Sequence, residues 1–311
     1  MRHGKAWEPE AMRLGITHET RYDYSPQVET AQHMAHLKPL QTATQTLVSH
    51  RLEIQPEAAQ TSETRDVFGN ARAFFSLQTA HDELCVLAHS VVETHEPPQP
   101  PLGPDGSLPW EQVRERFRYR AGGRYDPAAE FVFPSVYVPR HDDFLAYARP
   151  SFGAGVSVLD GAQSLMQRIF EDFTYASNST EINTPAVEAL AQRKGVCQDF
   201  AHIMIACLRG LGLPARYVSG YLLTTPPPGQ PRLVGSDASH AWVAVYSPGE
   251  DGGLGQWFDF DPTNNRSPGE DYVTLAIGRD YADVSPMRGV IHGGANHRLN
   301  VAVTVEPLDI Q

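Results

Sequence analysis

A cysteine, a histidine and an aspartate in that order, each at the start or end of its own element, are the means of thiol-based acyl transfer. This chain offers such a set at Cys197, His240 and either Asp259 or Asp261. In that chemistry the imidazole takes the thiol proton, the sulfur attacks an amide carbonyl, and the carboxylate holds the ring and its charge. The cysteine lies in Lys194-Gly195-Val196-Cys197-Gln198-Asp199-Phe200-Ala201-His202. Gly195 permits a sharp entry into a helix, Ile203, Met204, Ile205, Ala206 and Leu208 carry that helix into a core, and Gly210 ends it. Unpaired backbone N–H groups at a helix start favour an anion there, which makes a thiol in that place a better nucleophile. His240 opens the alternating run Ser239 to Tyr246, and the aspartates close Gln256-Trp257-Phe258-Asp259-Phe260-Asp261-Pro262-Thr263. Each of these runs reads as a strand, the second ending in a turn. Asp259 and Asp261 lie two apart, point to the same face, and can each serve the imidazole.

The neighbouring polar residues have plainer readings. Asp199 suits a first-turn acid or a buried hydrogen-bond anchor, and His202 projects from a different part of the helix than Cys197. Cys207, ten residues and nearly three turns on, and Cys85 read as small apolar core residues. Tyr175 and Asn178 are candidates for the second oxyanion donor, beside the Cys197 backbone N–H. There is no C-x-x-C or H-E-x-x-H spacing for a metal, no phosphate loop and no dinucleotide fingerprint, so neither metal nor cofactor is expected.

On these motifs the chain resembles the bacterial transglutaminase-like proteins of the papain-like cysteine hydrolase superfamily. The resemblance rests on residues 195–202, on Leu208-Arg209-Gly210-Leu211-Gly212-Leu213-Pro214-Ala215-Arg216-Tyr217-Val218-Ser219-Gly220-Tyr221, on Ser239-His240-Ala241-Trp242-Val243, and on Asp259-Phe260-Asp261-Pro262-Thr263-Asn264. It continues through Gly278-Arg279-Asp280-Tyr281-Ala282-Asp283-Val284, where Arg279, Asp280 and Asp283 line or brace the cleft. It implies Cys197 as nucleophile, His240 as base and Asp261 as the orienting acid. Upstream, Thr17-His18-Glu19-Thr20-Arg21-Tyr22-Asp23-Tyr24 and Asp66-Val67-Phe68-Gly69-Asn70 are similar to the small β domain that precedes the catalytic core in this family. The implied activity is a cysteine protease or amidase acting on peptide or isopeptide bonds through a thioester acyl-enzyme. A protein-glutamine transglutaminase, with an amine resolving the thioester, is the alternative, and a peptide-binding module with an idle triad is a third. The implied partner is a peptide or protein amide substrate.

Those residues need elements to hold them. From 13 to 95 the pattern favours strands, at Leu47 to Ile54, Ala73 to Leu77 and Leu84 to Val92, and predicts an N-terminal β domain. Residues 96 to 155 hold a Pro-rich linker, Pro97 to Gly106, and short helices around Trp110 to Phe117 and Phe144 to Ala148. The catalytic domain is expected over 156 to 307, opening with a helix on which Ala162, Leu165, Met166, Ile169 and Phe170 share the packed face. Strands follow at Ala215 to Leu223, Val243 to Tyr246, Trp257 to Asp259 and Asn300 to Glu306, and the loop Pro226 to Pro231 is placed to rim the cleft. Helices followed by strands predict an α+β fold, with the nucleophile helix packed on an antiparallel sheet.

Composition fits that picture. With 41% hydrophobic and 20% charged residues the 311-residue chain can bury a sizeable core. A net charge of −12, from 25 basic and 37 acidic side chains, repels nucleic acid and acidic membranes. Three cysteines argue against a disulfide framework. Residues 1 to 11 lack the apolar core of a signal peptide and read as a poorly ordered extension or a misassigned start, and no apolar run is long enough to span a bilayer, so the expected location is cytoplasmic.

Overall fold

The computed structural model describes residues 11–103, 105–122, 125–176, 184–224, 239–249, 255–294 and 296–309. Asn178 and the Pro226 to Pro231 loop lie outside the described residues. The chain begins with a 24-residue strand, β1 (Met12–Ala35), followed by β2 (Gln45–Gln55), β3 (Gln60–Arg65), β4 (Ala71–Leu77) and β5 (His81–Thr94). β1 is long enough to serve two neighbourhoods. Its first half pairs with β5, from Met12 opposite Thr94 to Asp23 opposite Glu83, and its second half pairs with β4. From Leu84 onward alternation along β5 is strict, with Leu84, Val86, Ala88 and Val92 buried, as a strand with one face on a core requires.

The connection to the second half is irregular around the prolines at 97–101, then builds α1 (Trp110–Arg116), a 3-10 turn (Pro127–Val132) and α2 (Asp142–Ala148). The helix that follows, α3 (Val158–Asp172), starts where the Ser157 hydroxyl accepts the Asp160 N–H at 3.2 Å. Its packed face is Val158, Leu159, Ala162, Leu165, Met166 and Ile169. Phe170, expected on that face, is 46% exposed. It lies on the same stripe as Leu159 and Met166 but in the last turn of α3, beyond the stretch that the core covers.

Next come the short strand β6 (Thr174–Tyr175), α4 (Ala186–Gln192) and β7 (Lys194–Gly195), then α5 (Cys197–Gly210). β6 and β7 pair in parallel, which ties the segment before α4 to the residues that enter α5. Every residue of α5 from Asp199 to Arg209 is buried, the pattern of a helix covered on all sides. Gly210 is its last residue, yet Gly212, at φ +80°, makes the left-handed turn that redirects the chain. β8 (Ala215–Leu222), β9 (Ser239–Ser247), β10 (Gln256–Phe260) and β11 (Tyr272–Gly278) form an antiparallel sheet in the order β10-β9-β8-β11. Tyr217, Ala241, Val243, Val245, Phe258 and Phe260 from that sheet join α5 in the largest core cluster. The fold is α+β, as expected.

A short α6 (Tyr281–Val284) leads to β12 (Met287–Gly293) and β13 (Asn296–Pro307). The final strand does not extend the catalytic sheet. β13 runs antiparallel to β1 from Leu14 opposite Pro307 to Ser25 opposite Asn296, and β12 pairs with the second half of β1. The expectation of a last catalytic strand over Asn300 to Glu306 is corrected on this point, because the strand's alternating valines have their burial elsewhere. Val303 and Val305 pack with Leu14, Ile16 and Val92 against Tyr221, Val273 and Leu275 of the catalytic sheet. The two sheets therefore share a core, and the C-terminal strands clasp the N-terminal sheet onto the catalytic unit. Among the described residues no helix is long and apolar enough to cross a membrane.

Candidate active site

Cys197 occupies the first position of α5, with Val196 as the capping residue in extended conformation. The helix start is held by Asp199, whose Oδ2 accepts the Val196 N–H at 2.8 Å and whose side chain is 3% exposed. Gly195 is required here for space. A Cβ on it would sit 2.6 Å from Asp199 Oδ2 and 2.7 Å from Asp199 Cβ, closer than packed atoms approach. Gly195→Ala is therefore expected to displace the start of α5 and to cost about 1–3 kcal/mol in urea unfolding. An unchanged midpoint would mean the turn is not held by Asp199.

His240, 10% exposed, and Asp261, fully buried, meet at 2.7 Å between Nε2 and Oδ2. Cys197 lies on the other side of the ring, close enough to act on the histidine's proton affinity. With Nε2 turned to the carboxylate, Nδ1 is the ring atom left for the sulfur. Burial alone would lower the His240 pKa, but its bond to Asp261 and the charges of Asp261 and Cys197 outweigh it and raise it to about 10. The imidazolium is thus the form at neutral pH. Asp261 sits below the usual carboxylate range for the reciprocal reason, since its bonds to His240, Tyr272 and Asn264 overcome the opposing effect of burial.

Register decides between the two aspartates. Asp259 lies opposite Ala244 on β9, four residues along the strand from His240, or about 13 Å at 3.3 Å per residue. Its charge faces the Arg216 guanidinium, although burial dominates and raises its pKa. Asp261, just past the end of β10, is where the chain turns back toward the histidine. Its two oxygens are saturated. Oδ1 accepts the backbone N–H of Thr263 at 2.8 Å and of Asn264 at 3.3 Å, while Oδ2 accepts the Tyr272 hydroxyl and the Asn264 amide, each at 2.7 Å.

Tyr272 was not visible as a site residue in the sequence. It starts β11, at the far side of the sheet from β10, and reaches Asp261 by lying across Trp242, with ring centroids 5.3 Å apart. Trp242 is itself fully buried beside His240, at 6.2 Å. Room for it comes from Gly220, which pairs with His240 and whose added Cβ would lie 2.5 Å from the indole. Gly220, Trp242 and Asn264 each lie in a motif quoted above, but nothing in those motifs pointed to Tyr272.

The remaining polar residues are braces. His202 is buried, and its Nε2 accepts the Tyr281 N–H at 3.2 Å while its ring stacks on Tyr137 at 5.4 Å. Burial, with Arg209 nearby, pushes its pKa down to about 3, so it is a neutral acceptor. Asp280 accepts the N–H groups of Tyr137 and Ala282, and Asp283 accepts both the backbone and the guanidinium of Arg279. Arg209, buried at the far end of α5, donates to the carbonyls of Phe133, Ala215 and Arg279. Cys207 is buried with its pKa driven up by burial, and Cys85 lies in the N-terminal sheet.

Cys197 and His240 open into a cleft of about 340 Å³ between the catalytic sheet and the N-terminal sheet. Tyr175 stands at its rim, and its hydroxyl pKa is raised by burial and by the nearby charges of Cys197 and Asp199. A larger cavity, about 690 Å³, lies at the other end of α5 around Trp110, Arg114, Arg140 and Arg149, away from the thiol. Among the described residues no group of three or more His, Cys, Asp or Glu side chains is placed to hold a metal.

Residues 14–93 match the bacterial transglutaminase-like N-terminal region, and residues 146–262 match the transglutaminase-like superfamily. The chain belongs to the transglutaminase-like superfamily. The uncharacterized protein Rv2569c of Mycobacterium tuberculosis (strain H37Rv) is 40% identical over 300 residues, which cover 96% of this chain and 93% of that one. A stretch of 114 residues is 32% identical to the protein-glutamine gamma-glutamyltransferase of Pseudomonas aeruginosa, covering 34% of this chain and 16% of that protein. In fold, the crystal structure of a candidate cysteine protease from Cytophaga hutchinsonii superposes with a TM-score of 0.73 at 23% identity, covering 97% of this chain and 92% of that one. The two matched regions thus follow one another in the chain, the N-terminal region first.

Proposed function

We propose that this superfamily member is a cysteine-dependent amide hydrolase, with Cys197 as nucleophile, His240 as general base and acid, and Asp261 as the acid that orients the ring. The observation that carries the reading is the position of His240, which shares a cleft with the Cys197 thiol and bonds a buried carboxylate at 2.7 Å. The Cys197 sulfur attacks the amide carbonyl carbon, forming a C–S bond and a tetrahedral oxyanion. The Cys197 backbone N–H, at the first position of α5, is one donor to that oxyanion, and the Tyr175 hydroxyl at the cleft rim is the second. His240 gives its proton to the departing nitrogen as the C–N bond breaks, leaving a thioester. Water then loses a proton to His240, attacks the thioester carbonyl and releases the carboxylic acid and the thiol.

An amine in place of water would make the same protein an acyltransferase, a reading favoured by the matched stretch of the Pseudomonas glutamyltransferase. An activated ester separates the two. One equivalent of acyl group should appear on Cys197, and its release should proceed in water and gain little from added primary amine. Release that waits for the amine supports the transferase, and no acyl-enzyme at all sinks both.

The pH dependence follows from His240. Its pKa is raised, so the imidazolium that protonates the leaving amine is present below about pH 10 and lost above it. Turnover is expected to fall on an alkaline limb near that value. The same shift contributes stability that is complete below about 6.5 and lost as the pH rises through about 10. An alkaline limb near pH 7 would show that Asp261 and Cys197 do not hold the proton on the ring.

A further inference from the structure

The cleft beside Cys197 is walled by the N-terminal sheet, and that wall is neutral. His18, Thr20 and Tyr22 of β1 and Leu299 and Val301 of β13 form it. Register makes them a paired surface, with Thr20 opposite Val301 and Tyr22 opposite Leu299. Among the described residues no Asp, Glu, Lys or Arg lines the cleft. Its polar groups on this side are already engaged: His18 meets the Tyr221 hydroxyl through Nδ1 at 2.9 Å and Thr20 Oγ1 through Nε2 at 3.3 Å. Burial holds the His18 pKa down to about 4, so the ring carries no charge at neutral pH.

At the mouth, Val301 is 51% exposed, Leu299 42% and Tyr175 54%. Apolar surface is thus left uncovered on both sides of a reactive thiol, in a chain whose net charge is −12. A charged side chain entering here would leave water and find no counter-ion among the described lining residues, since the His240 ring is already paired with Asp261. An apolar one would bury itself and the three exposed rim residues together.

We propose that the cleft takes an acyl donor whose residue next to the reacting carbonyl is uncharged and apolar, and that Tyr22, Leu299 and Val301 of the N-terminal sheet select it. This rests on Cys197 being the nucleophile. It assigns the N-terminal sheet a part in substrate choice and makes the C-terminal strand β13, about a hundred residues beyond Cys197 in sequence, a specificity element.

The test is the rate of Cys197 alkylation by N-acetyl-aminoacyl chloromethyl ketones carrying Leu, Phe, Gln, Glu or Lys, each divided by the same protein's rate with iodoacetamide. Leu and Phe reagents are expected to react about 10- to 100-fold faster than Glu and Lys, with Gln between them. In Val301→Lys, at a half-exposed edge-strand position where lysine is tolerated, the Glu reagent should gain about 10-fold on the Leu reagent. Equal rates for charged and neutral reagents, or a Val301→Lys ratio like that of the wild type, would overturn the proposal. A Gln reagent faster than Leu overturns its apolar part and favours a glutamine donor. If iodoacetamide leaves Cys197 untouched, the nucleophile reading falls, and the cleft is then judged by the binding of N-acetyl-leucinamide. In that case shifts of the His18 and Tyr22 resonances sustain the neutral apolar site, and their absence removes it.

Discussion

Cys197→Ala is expected to abolish amide turnover, a loss of at least about 10⁴-fold, while leaving the fold almost unchanged. The two halves of that expectation have separate causes. Without the sulfur no thioester forms, and the helix start and the ring behind it have no other group that can carry the acyl chain. Stability should move by less than about 1 kcal/mol, because the side chain is partly exposed at the first turn of α5 and alanine is the better helix former. Kinetics with a cleavable amide and a urea titration read the two halves independently. Turnover that survives would show that water is activated directly and that the cysteine is a bystander.

Asp261→Asn is expected to be damaging in both respects. Oδ2 faces three groups, the His240 ring, the Tyr272 hydroxyl and the Asn264 amide. An asparagine amide that keeps the two backbone N–H bonds at Oδ1 must point its NH₂ at all three. The bond to Nε2–H is lost, His240 loses the charge that raised its pKa to about 10, and the ring is free to adopt the wrong tautomer. A loss of about 10⁴-fold in turnover is expected from that alone. Because the site is fully buried, unfolding should also cost less by about 3–5 kcal/mol, the penalty for leaving one member of a buried charge pair alone. Asp259→Asn should leave the rate with iodoacetamide near wild type, since that carboxylate serves Arg216. A stronger effect at Asp259 than at Asp261 would contradict the register argument.

The parts of this site that could be read from the chain were the local ones. A glycine, a cysteine and an apolar run within one helix are set by neighbours in sequence, so α5 and the strand carrying His240 were legible. The reason for Gly195 was only half visible, because the atom that forbids a side chain there belongs to Asp199, on the next turn. Periodicity also placed Phe170 on the packed face of α3, although the burial of that face was satisfied by Leu159 at its other end. Long-range partners left no trace. Tyr272 supports Asp261 from across the sheet, Gly220 makes room for Trp242, and β13 returns to β1 nearly three hundred residues later. Such contacts depend on how sheets pack on each other, which alternation within one strand does not encode. For the aspartates, alternation correctly put both on one face, and only strand register separated them.

The central claim is that Cys197 is held as an activated nucleophile by His240. Intact-protein mass after iodoacetamide at near-neutral pH, compared among wild type, Cys197→Ala and His240→Ala, tests it most directly. The expected result is rapid single labelling of the wild type, none at that rate in Cys197→Ala, and slow labelling in His240→Ala. Slow labelling spread over Cys85, Cys197 and Cys207 in the wild type, unaffected by His240→Ala, would contradict it.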